Sequence, residues 1–326
     1  MTTLITGGTG LIGARLAEKL LARGERVVLF DLVPAEWRIR HLRVAGGDRL
    51  HVVRGDVTAL AEVLDAVRGG GVTAIVHLAY VLGAESNDRP ELATRVNMLG
   101  TAHVLEAARL GGVERVLLAS SIAVYGADGE YRPDQLPLGE DVPLHVARGL
   151  PIYGAGKVYL EHLGAHYAAR YGLTVAGLRP SIVYGWGRER GASAFAGELV
   201  DRAAAGEPAT VGFGDARVSL VYVDDVAEQF LALLTAPPAR FARRRFFNTG
   251  GDACTVRELV DAVRRLVPGA RIEVTSAGER DLAGLATRVT DRALEAELGV
   301  RRTFTPLETG LRAHIEMARR RGGGAP

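Results

Sequence analysis

A chain of 326 residues, 48% of them hydrophobic, is long enough for one large α/β domain or for a nucleotide-binding domain with a smaller partner. Its 40 Lys+Arg nearly balance its 38 Asp+Glu, and a net charge of +2 gives no indication of nucleic-acid binding. The single cysteine, Cys254, excludes an internal disulfide and a multi-thiolate metal site within one chain.

No apolar run reaches the roughly 20 residues that a membrane helix needs. The first residues enter a strand pattern directly, which leaves no room for a signal sequence. We therefore expect a cytoplasmic protein that acts on a small molecule, binds neither membrane nor nucleic acid, and holds no metal.

The amino-terminal part alternates short β-rich runs with longer amphipathic segments. The predicted strands are 2–6, 26–30, 50–53, 74–77, 115–119 and 173–178, and the predicted helices between them are 11–23, 60–68, 91–110 and 154–171. This alternation is typical of βαβ units and predicts an α/β fold with a doubly wound parallel Rossmann sheet.

After residue 180 the pattern is irregular. A strand is predicted at 218–223, a helix at 225–234, further helices at 255–266 and 306–320, and a possible strand at 271–275. We expect an NAD(P)-binding Rossmann domain of residues 1–180, joined by about 217–250. Residues 181–216 and 251–320 would form a smaller C-terminal α/β substrate-binding domain.

Three glycines are spaced three residues apart between the first predicted strand and helix: Gly7, Gly10 and Gly13. The first permits a tight turn, the second lets backbone approach a pyrophosphate, and the third allows close packing of helix on strand. The N-terminus of the helix then offers unpaired N–H groups to the anion. The spacing predicts a dinucleotide site.

An acidic residue at the end of the second strand strengthens this prediction. Asp31 stands 18 residues after Gly13, close to the ~20 expected for the acid that binds the ribose hydroxyls. A carboxylate there repels a 2′-phosphate, so NAD is favoured over NADP. Arg38 and Arg40 follow and keep a phosphate contact open.

Tyr153 and Lys157 are four residues apart on a predicted helix, which places both side chains on one face. A tyrosine with a pKa of about 10 is mostly protonated at neutral pH, and a nearby ammonium favours the phenolate. Such a tyrosine exchanges protons with a substrate hydroxyl or carbonyl.

Short motifs that match one enzyme family occur in order along nearly the whole chain. They are the Thr6-Gly7-x-x-Gly10-x-x-Gly13 turn, Gly55-Asp56-Val57, His77-Leu78-Ala79, Val96-Asn97, Ser120-Ser121-Ile122-Ala123-Val124-Tyr125-Gly126, Tyr153-Gly-x-Gly-Lys157, Leu178-Arg179-Pro180, Val223-Asp224-Asp225-Val226-Ala227 and Thr305-Pro306-Leu307-Glu308. With these motifs the chain resembles the extended short-chain dehydrogenase/reductase family, also known as the NAD-dependent epimerase/dehydratase family.

The resemblance implies the roles of individual residues. Tyr153 would be the acid/base, Lys157 would bind the nicotinamide ribose and tune Tyr153, and Ser121 would hydrogen-bond the reacting oxygen. The implied cofactor-binding residues are Gly7, Gly10, Leu11, Ile12, Gly13, Asp31, Asp56, Val57, Leu78, Ala79, Tyr80, Asn97, Tyr153, Lys157 and Pro180. In the family, the helices matching 91–110 and 154–171 often form a homodimer.

The resemblance leaves several reactions open. Dehydratases of the family carry an acidic pair after the catalytic hydroxyl, where this chain has Ile122 and Ala123, so dehydration is disfavoured. Epimerases that hold a nucleotide diphosphate carry a lysine, an asparagine and an arginine at positions that are here Leu82, Ile182 and Val218. The favoured reaction is therefore hydride transfer to or from a smaller alcohol or ketone, such as a sugar, a sugar acid or a secondary-metabolite carbonyl.

Two alternatives stay open. The first is a nucleotide-sugar 4-epimerase with retained NAD, whose anion contacts would be drawn from Arg188, Arg190, Arg217 and Arg288. The second is a non-catalytic cofactor-binding sensor, which has no need of Ser121, Tyr153 and Lys157. Substrate contacts are predicted at Ser121, Tyr184 and Arg217.

Overall fold

The computed structural model describes residues 1–144, 151–189, 191, 194–275, 285–300 and 304–322. Its strands are β1 (Thr2–Thr6), β2 (Arg26–Asp31), β3 (Leu50–Arg54), β4 (Ala74–His77), β5 (Arg115–Ala119), β6 (Thr174–Arg179), β7 (Ile182–Tyr184), β8 (Ala209–Val211), β9 (Arg217–Tyr222), β10 (Phe246–Asn248), β11 (Asp252–Thr255) and β12 (Ile272–Val274).

Its helices are α1 (Leu11–Ala22), α2 (Glu36–Gly46), α3 (Leu60–Gly69), α4 (Gly83–Asp88), α5 (Pro90–Ala93), α6 (Gly100–Gly111), α7 (Ile152–Tyr171), α8 (Phe195–Ala204), α9 (Val223–Thr235), α10 (Val256–Leu266), α11 (Arg292–Leu298) and α12 (Leu307–Gly322). A π-helical turn at Thr94–Leu99 joins α5 to α6. No helix among the described residues is both long enough and apolar enough to span a membrane.

The central sheet has seven strands in the order β10-β6-β5-β4-β1-β2-β3, and every pairing in it is parallel. The chain winds outward in one direction from β1 through β3 and in the other from β4 through β6. The order therefore reverses between β1 and β4, where a crevice opens at the carboxyl ends of the strands. The doubly wound Rossmann sheet predicted from the sequence is confirmed.

Helices cover both faces of this sheet, which is why its strands are almost continuous apolar runs. On one face, α1 and α9 bury a cluster that includes Leu16, Leu20, Phe230 and Leu233. On the other face, α3, α6 and α7 bury residues such as Val63, Val104, Leu105 and Leu160.

The remaining elements form a smaller unit with its own core. β9 pairs in parallel with β7 and antiparallel with β11, while β8 pairs with β12. Helices α8, α10 and α12 pack around them and bury, among others, Leu199, Leu259, Val263 and Leu311.

The stretch 217–250, which was predicted to join the Rossmann domain, contributes strands to two sheets. α9 packs on the large sheet and β10 adds a strand to it, but β9 belongs to the three-stranded sheet. Alternating side chains explain this position, since Val218 and Leu220 enter the smaller core while Val221 enters the larger one.

Candidate active site

The turn after β1 has the shape of an anion cradle. Gly7 has a φ of +62°, which L side chains rarely adopt, and a Cβ at Gly13 would lie 2.6 Å from the Gly8 carbonyl oxygen. Gly10 precedes α1 without a capping side chain, and the first turn of α1 contains no acidic residue. The first N–H groups of α1, from Leu11 and Ile12 onward, are thus left to a ligand, and a pyrophosphate fits them.

Asp31 ends β2 beside this turn. Its Oδ2 accepts hydrogen bonds from the Thr9 backbone N–H at 3.0 Å and from the Thr9 hydroxyl at 2.6 Å. The carboxylate is partly exposed next to the predicted pyrophosphate position. This placement suits an acid that accepts hydrogen bonds from ribose hydroxyls.

Arg38 braces the glycine turn from the other side. Its Nη1 donates to the Thr9 carbonyl at 2.8 Å and its Nη2 to the Gly187 carbonyl at 2.6 Å, and Nη2 also lies 3.6 Å from Glu189. The side chain thereby ties the turn after β1 to the segment after β7. Arg40 is exposed on α2. These positions favour NAD, since Arg38 is engaged with backbone carbonyls rather than presented to a 2′-phosphate.

Asp56 and Val57 follow β3, at the end of the crevice where the resemblance implies an adenine. The Asp56 carboxylate accepts the Thr58 backbone N–H at 2.8 Å. Val57 is buried against Gly100, where an added Cβ would lie 2.8 Å from a Val57 methyl group. Their contact with an adenine stays a prediction.

The segment after β4 forms the other wall of the crevice. The Leu78 and Ala79 backbone N–H groups both lie 3.3 Å from the Thr6 hydroxyl oxygen. Asn97, buried in the π-helical turn, accepts the Val81 N–H at 2.7 Å and donates to the Val81 carbonyl at 3.1 Å. Asn97 thus fixes the backbone that follows Tyr80, as a π-helical turn at a functional site often does.

The structure brings together Ser121, Tyr153 and Lys157. Ser121 follows β5, while Tyr153 and Lys157 lie on the first turns of α7, and the Ser121 side chain is near enough to Tyr153 to lower its pKa. Lys157 is 2% exposed, and its Nζ donates to the Ala119 carbonyl at 2.6 Å. Nζ lies 5.5 Å from the centre of the Tyr153 ring.

Burial dominates the electrostatics of these groups. It lowers the pKa of Lys157 to about 7, against the opposite influence of Glu161. Burial also raises the pKa of Tyr153, whereas the Ser121 side chain and the Arg188 guanidinium act to lower it. Lys157 can therefore exchange a proton near neutral pH, while the net effect of these groups moves the pKa of Tyr153 further above its ordinary value.

Pro180, which the resemblance implies as a cofactor-binding residue, lies next to the segment that carries Ser121, and its contact with a cofactor stays a prediction. The residue is buried just after β6, and its carbonyl accepts the Ile122 N–H at 3.1 Å. This bond fixes the backbone directly after Ser121.

The structure places the other two predicted substrate residues, Tyr184 and Arg217, in the smaller unit. Tyr184 is 1% exposed in its core, with the hydroxyl 3.4 Å from the Leu307 carbonyl, and its contact with a substrate stays a prediction. Arg217 is exposed at the beginning of β9, roughly 17 Å along the strand from Tyr222 at its site-facing end.

Sequence reasoning missed a buried ion pair behind the site. Arg179 at the end of β6 donates to both carboxylate oxygens of Glu161, at 2.8 and 2.7 Å, and to the Tyr125 hydroxyl at 2.7 Å. The Ser120 hydroxyl also donates to Glu161. The available signal was the position of Glu161, one helical turn after Lys157 on the same face.

Comparison with known proteins agrees with this geometry. The family model described as the NAD dependent epimerase/dehydratase family matches residues 3–249. The chain belongs to this family. Membership confirms the predicted family and the prediction of an NAD-dependent enzyme of the extended short-chain dehydrogenase/reductase type.

Individual relatives carry out different reactions. A UDP-glucose 4-epimerase of Mycolicibacterium smegmatis is 33% identical, over 81% of this chain and 82% of its own. A 2-alkyl-3-oxoalkanoate reductase of Stenotrophomonas maltophilia is 30% identical, over 84% of this chain and 78% of its own. The crystal structure of a Thermus thermophilus UDP-glucose 4-epimerase in complex with NAD is 30% identical and superposes with a TM-score of 0.82, covering 98% of this chain and 99% of that one.

Proposed function

We propose that the protein is an NAD-dependent dehydrogenase or reductase that interconverts a secondary alcohol and a ketone. The observation that carries the proposal is that Ser121, Tyr153 and a buried Lys157 come together at the carboxyl end of β5, with the Lys157 Nζ 5.5 Å from the centre of the Tyr153 ring. The glycine turn and Asp31 lie across the same crevice, on the β1 and β2 side. The residues thus place acid/base groups next to a dinucleotide cradle.

Each side chain has a part in the proton transfer. When bound, NAD supplies or accepts the hydride at the substrate carbon. Tyr153 takes the proton of the alcohol hydroxyl during oxidation and returns it to the ketone oxygen during reduction. Ser121 hydrogen-bonds the same oxygen, and the Lys157 ammonium stabilises the phenolate that Tyr153 becomes.

Three positions of the chain favour a substrate smaller than a nucleotide sugar. Ile182 and Val218 are buried in β7 and β9, and Leu82 precedes α4. These three side chains stand where diphosphate-binding epimerases have polar ones. An anionic diphosphate buried among apolar groups would lack the partners that offset its desolvation.

A nucleotide-sugar 4-epimerase is the second candidate, and one observation favours it. The Arg188 guanidinium lies within the electrostatic range of Tyr153 and thus offers a cation near the reacting oxygen. Arg288 is exposed and paired with Asp128 at 3.3 Å, while Arg190 lies outside the described residues. Among the described arginines, Arg188 is therefore the anion contact on which this candidate would rely.

Cofactor content separates the two candidates. The freshly purified, unsupplemented protein is denatured, and the released small molecules are measured by absorbance and mass spectrometry. The proposal predicts an empty protein that binds added NAD(H) reversibly, followed by turnover of small alcohols or ketones. Stoichiometric NAD in the released fraction would contradict it and support the epimerase, which must regenerate its cofactor in place.

We further propose a cytoplasmic homodimer, in which α6 and α7 of each copy meet. The single cysteine suits a reducing compartment. Large apolar side chains on or beside these helices are exposed, among them Leu110 at 41%, Tyr159 at 41% and Tyr171 at 48%. An exposed apolar surface of this kind is typical of an interface.

Light scattering coupled to size exclusion tests the dimer. Tyr159→Glu places a charge at the centre of the proposed interface and is expected to give a monomer. The control is Val44→Glu on α2, where the native side chain is 85% exposed and lies outside the interface. A wild-type monomer, or a dimer that survives Tyr159→Glu, would contradict the proposed surface.

A further inference from the structure

The closest contact of the Lys157 ammonium with an aromatic ring is with Tyr80, not with Tyr153. Nζ lies 3.3 Å from the centre of the Tyr80 ring, against 5.5 Å for the Tyr153 ring. The two tyrosine rings meet edge to face, with centres 5.6 Å apart and planes at 88°. Tyr80 therefore contacts both members of the Tyr-x-x-x-Lys pair at once.

A glycine on α7 makes room for this ring. A Cβ added at Gly156 would lie 2.6 Å from the Tyr80 hydroxyl oxygen, a separation that real Cβ atoms essentially never show. A side chain at 156 would therefore require the Tyr80 ring or its surroundings to shift. Gly156 also costs the helix about 1 kcal/mol relative to alanine, so local helix propensity does not explain its presence.

The Asn97 side chain holds the loop that carries Tyr80 in place. Both backbone polar groups of Val81, the next residue, are hydrogen-bonded to the Asn97 side chain. The Tyr80 hydroxyl itself is buried without a hydrogen-bond partner among the described residues. The ring position is thus fixed by the loop and by packing rather than by a bond of the hydroxyl.

We propose that Tyr80 is a positioning residue whose ring face holds the Lys157 ammonium charged and oriented beside Tyr153, and that Gly156 is the socket that admits this ring. The inference deepens the proposed function and rests on it. A cation over an aromatic face is attracted most strongly when both are shielded from water, as they are here.

Other groups also face Lys157 and belong to its electrostatic environment. Glu161, on the same helix, favours the ammonium, although its carboxylate is shared with Arg179. His77 at the end of β4 is buried with its pKa lowered to about 3, and is therefore neutral at working pH. The Tyr80 ring thus joins the Ala119 carbonyl and Glu161 as the groups that stabilise the Lys157 ammonium.

The composition of the chain makes this inference directly measurable. The sequence contains two lysines, Lys19 and Lys157. In protein labelled with [13C]lysine, the Cε groups should therefore give two signals whose shifts report the charge of each amine. Lys19, paired with Glu228 at 2.6 Å, is an internal control in every spectrum.

The pKa of Lys157 is then measured by pH titration in wild type, Tyr80→Phe and Tyr80→Leu. Phenylalanine keeps the ring, so its pKa should match the wild type. Leucine keeps most of the bulk but has no aromatic face, so the pKa should fall by about one pH unit. An unchanged or raised pKa in Tyr80→Leu would overturn the proposal, because the ring would then only exclude water.

Gly156 supplies an independent test with a built-in rescue. Gly156→Ala should move the Tyr80 ring and lower the Lys157 pKa as Tyr80→Leu does. Adding Tyr80→Phe to Gly156→Ala removes the clashing hydroxyl and should restore the wild-type value. A Lys157 pKa in Gly156→Ala equal to that of wild type would show that Gly156 is not the socket. A double variant whose Lys157 pKa stays as low as in Gly156→Ala would show the same.

These titrations use the whole chain without cofactor, so their outcome does not depend on turnover. If Tyr80→Leu shifts the Lys157 pKa but no alcohol or ketone is turned over, the inference about Tyr80 stands and the proposed function fails. If wild type turns over and the three titrations coincide, the proposed function stands and the role of Tyr80 is lost.

Discussion

At the scale of single residues, a lysine at position 157 does what an arginine could not, because its amine can lose a proton near neutral pH. The chain has two lysines among 40 Lys+Arg, so arginine is its ordinary cation. An arginine stays protonated under all working conditions, whereas burial lowers the pKa of Lys157 to about 7. A compact ammonium also fits between the Ala119 carbonyl and the Tyr80 ring.

We expect Lys157→Met to abolish turnover and to raise the free energy of unfolding by about 1 kcal/mol or more, because the buried charge disappears. The folded-state pKa lies below the unfolded value, so wild-type stability falls as the pH drops from about 10.5 toward about 7. The stability gain of the variant should therefore be largest below pH 7 and vanish above about 10.5.

Thermal unfolding of both proteins across this pH range is the measurement. Lys19→Met is the control, since Lys19 is half-buried and paired with Glu228. A Lys157→Met variant less stable than wild type at neutral pH would show that the ammonium is well stabilised in the empty site.

At the scale of elements, α7 connects the chemistry to the sheet. Tyr153, Lys157 and Glu161 follow one another at four-residue steps on one face of this helix. Glu161 then joins β6 through its two hydrogen bonds with Arg179. The ion pair is buried, with each side chain 8% exposed, so neither charge is solvated by water.

Glu161→Gln keeps the shape of the side chain but leaves the Arg179 charge unpaired. We expect a loss of roughly 3–5 kcal/mol in the free energy of unfolding, measured by urea denaturation. Glu91→Gln is the matched control, because Glu91 pairs with Arg95 on the surface, where both side chains are largely exposed, and should change little. Equal effects of the two substitutions would contradict the structural role of the buried pair.

We expect Asp31, at the end of β2 beside the glycine turn, to set the choice between NAD and NADP. Asp31→Asn keeps an acceptor oxygen for the Thr9 N–H but removes the charge that repels a 2′-phosphate. We expect the ratio of NAD to NADP affinity to fall by about tenfold or more. Arg40→Ala should leave the ratio unchanged. An Asp31→Asn variant that loses both cofactors equally would remove Asp31 from this role.

At the scale of the whole molecule, the sequence predicts the central sheet closely. Strands β1, β4 and β5 begin and end where they were expected, because parallel strands buried on both faces are continuous apolar runs between glycine and polar turns. The smaller unit was less predictable. Its strands β7 and β8 are three residues long, too short for a periodicity to emerge, whereas the equally short β12 lies within the strand predicted at 271–275.

The site, too, has features that the sequence predicts and features that it does not. Glycine spacing and the four-residue step from Tyr153 to Lys157 are local, so the sequence carries them directly. Contacts that depend on packing between distant segments, such as Tyr80 on Lys157 or Arg38 on Gly187, leave no local pattern. The same limit applies to Tyr184. Its aromatic character suits a pocket lining, and no local pattern shows that it packs into the core of the smaller unit.

Tyr153→Phe tests the central claim most directly, because it removes one hydroxyl from the proposed acid/base and little else. Two quantities are measured for wild type and variant. They are the turnover, with NAD(H), of the substrate found by screening, and the affinity for NAD(H). We predict a loss of about 10²–10⁴-fold in kcat with NAD(H) affinity unchanged. Turnover that survives the substitution would contradict the assignment of Tyr153 and with it the proposed mechanism.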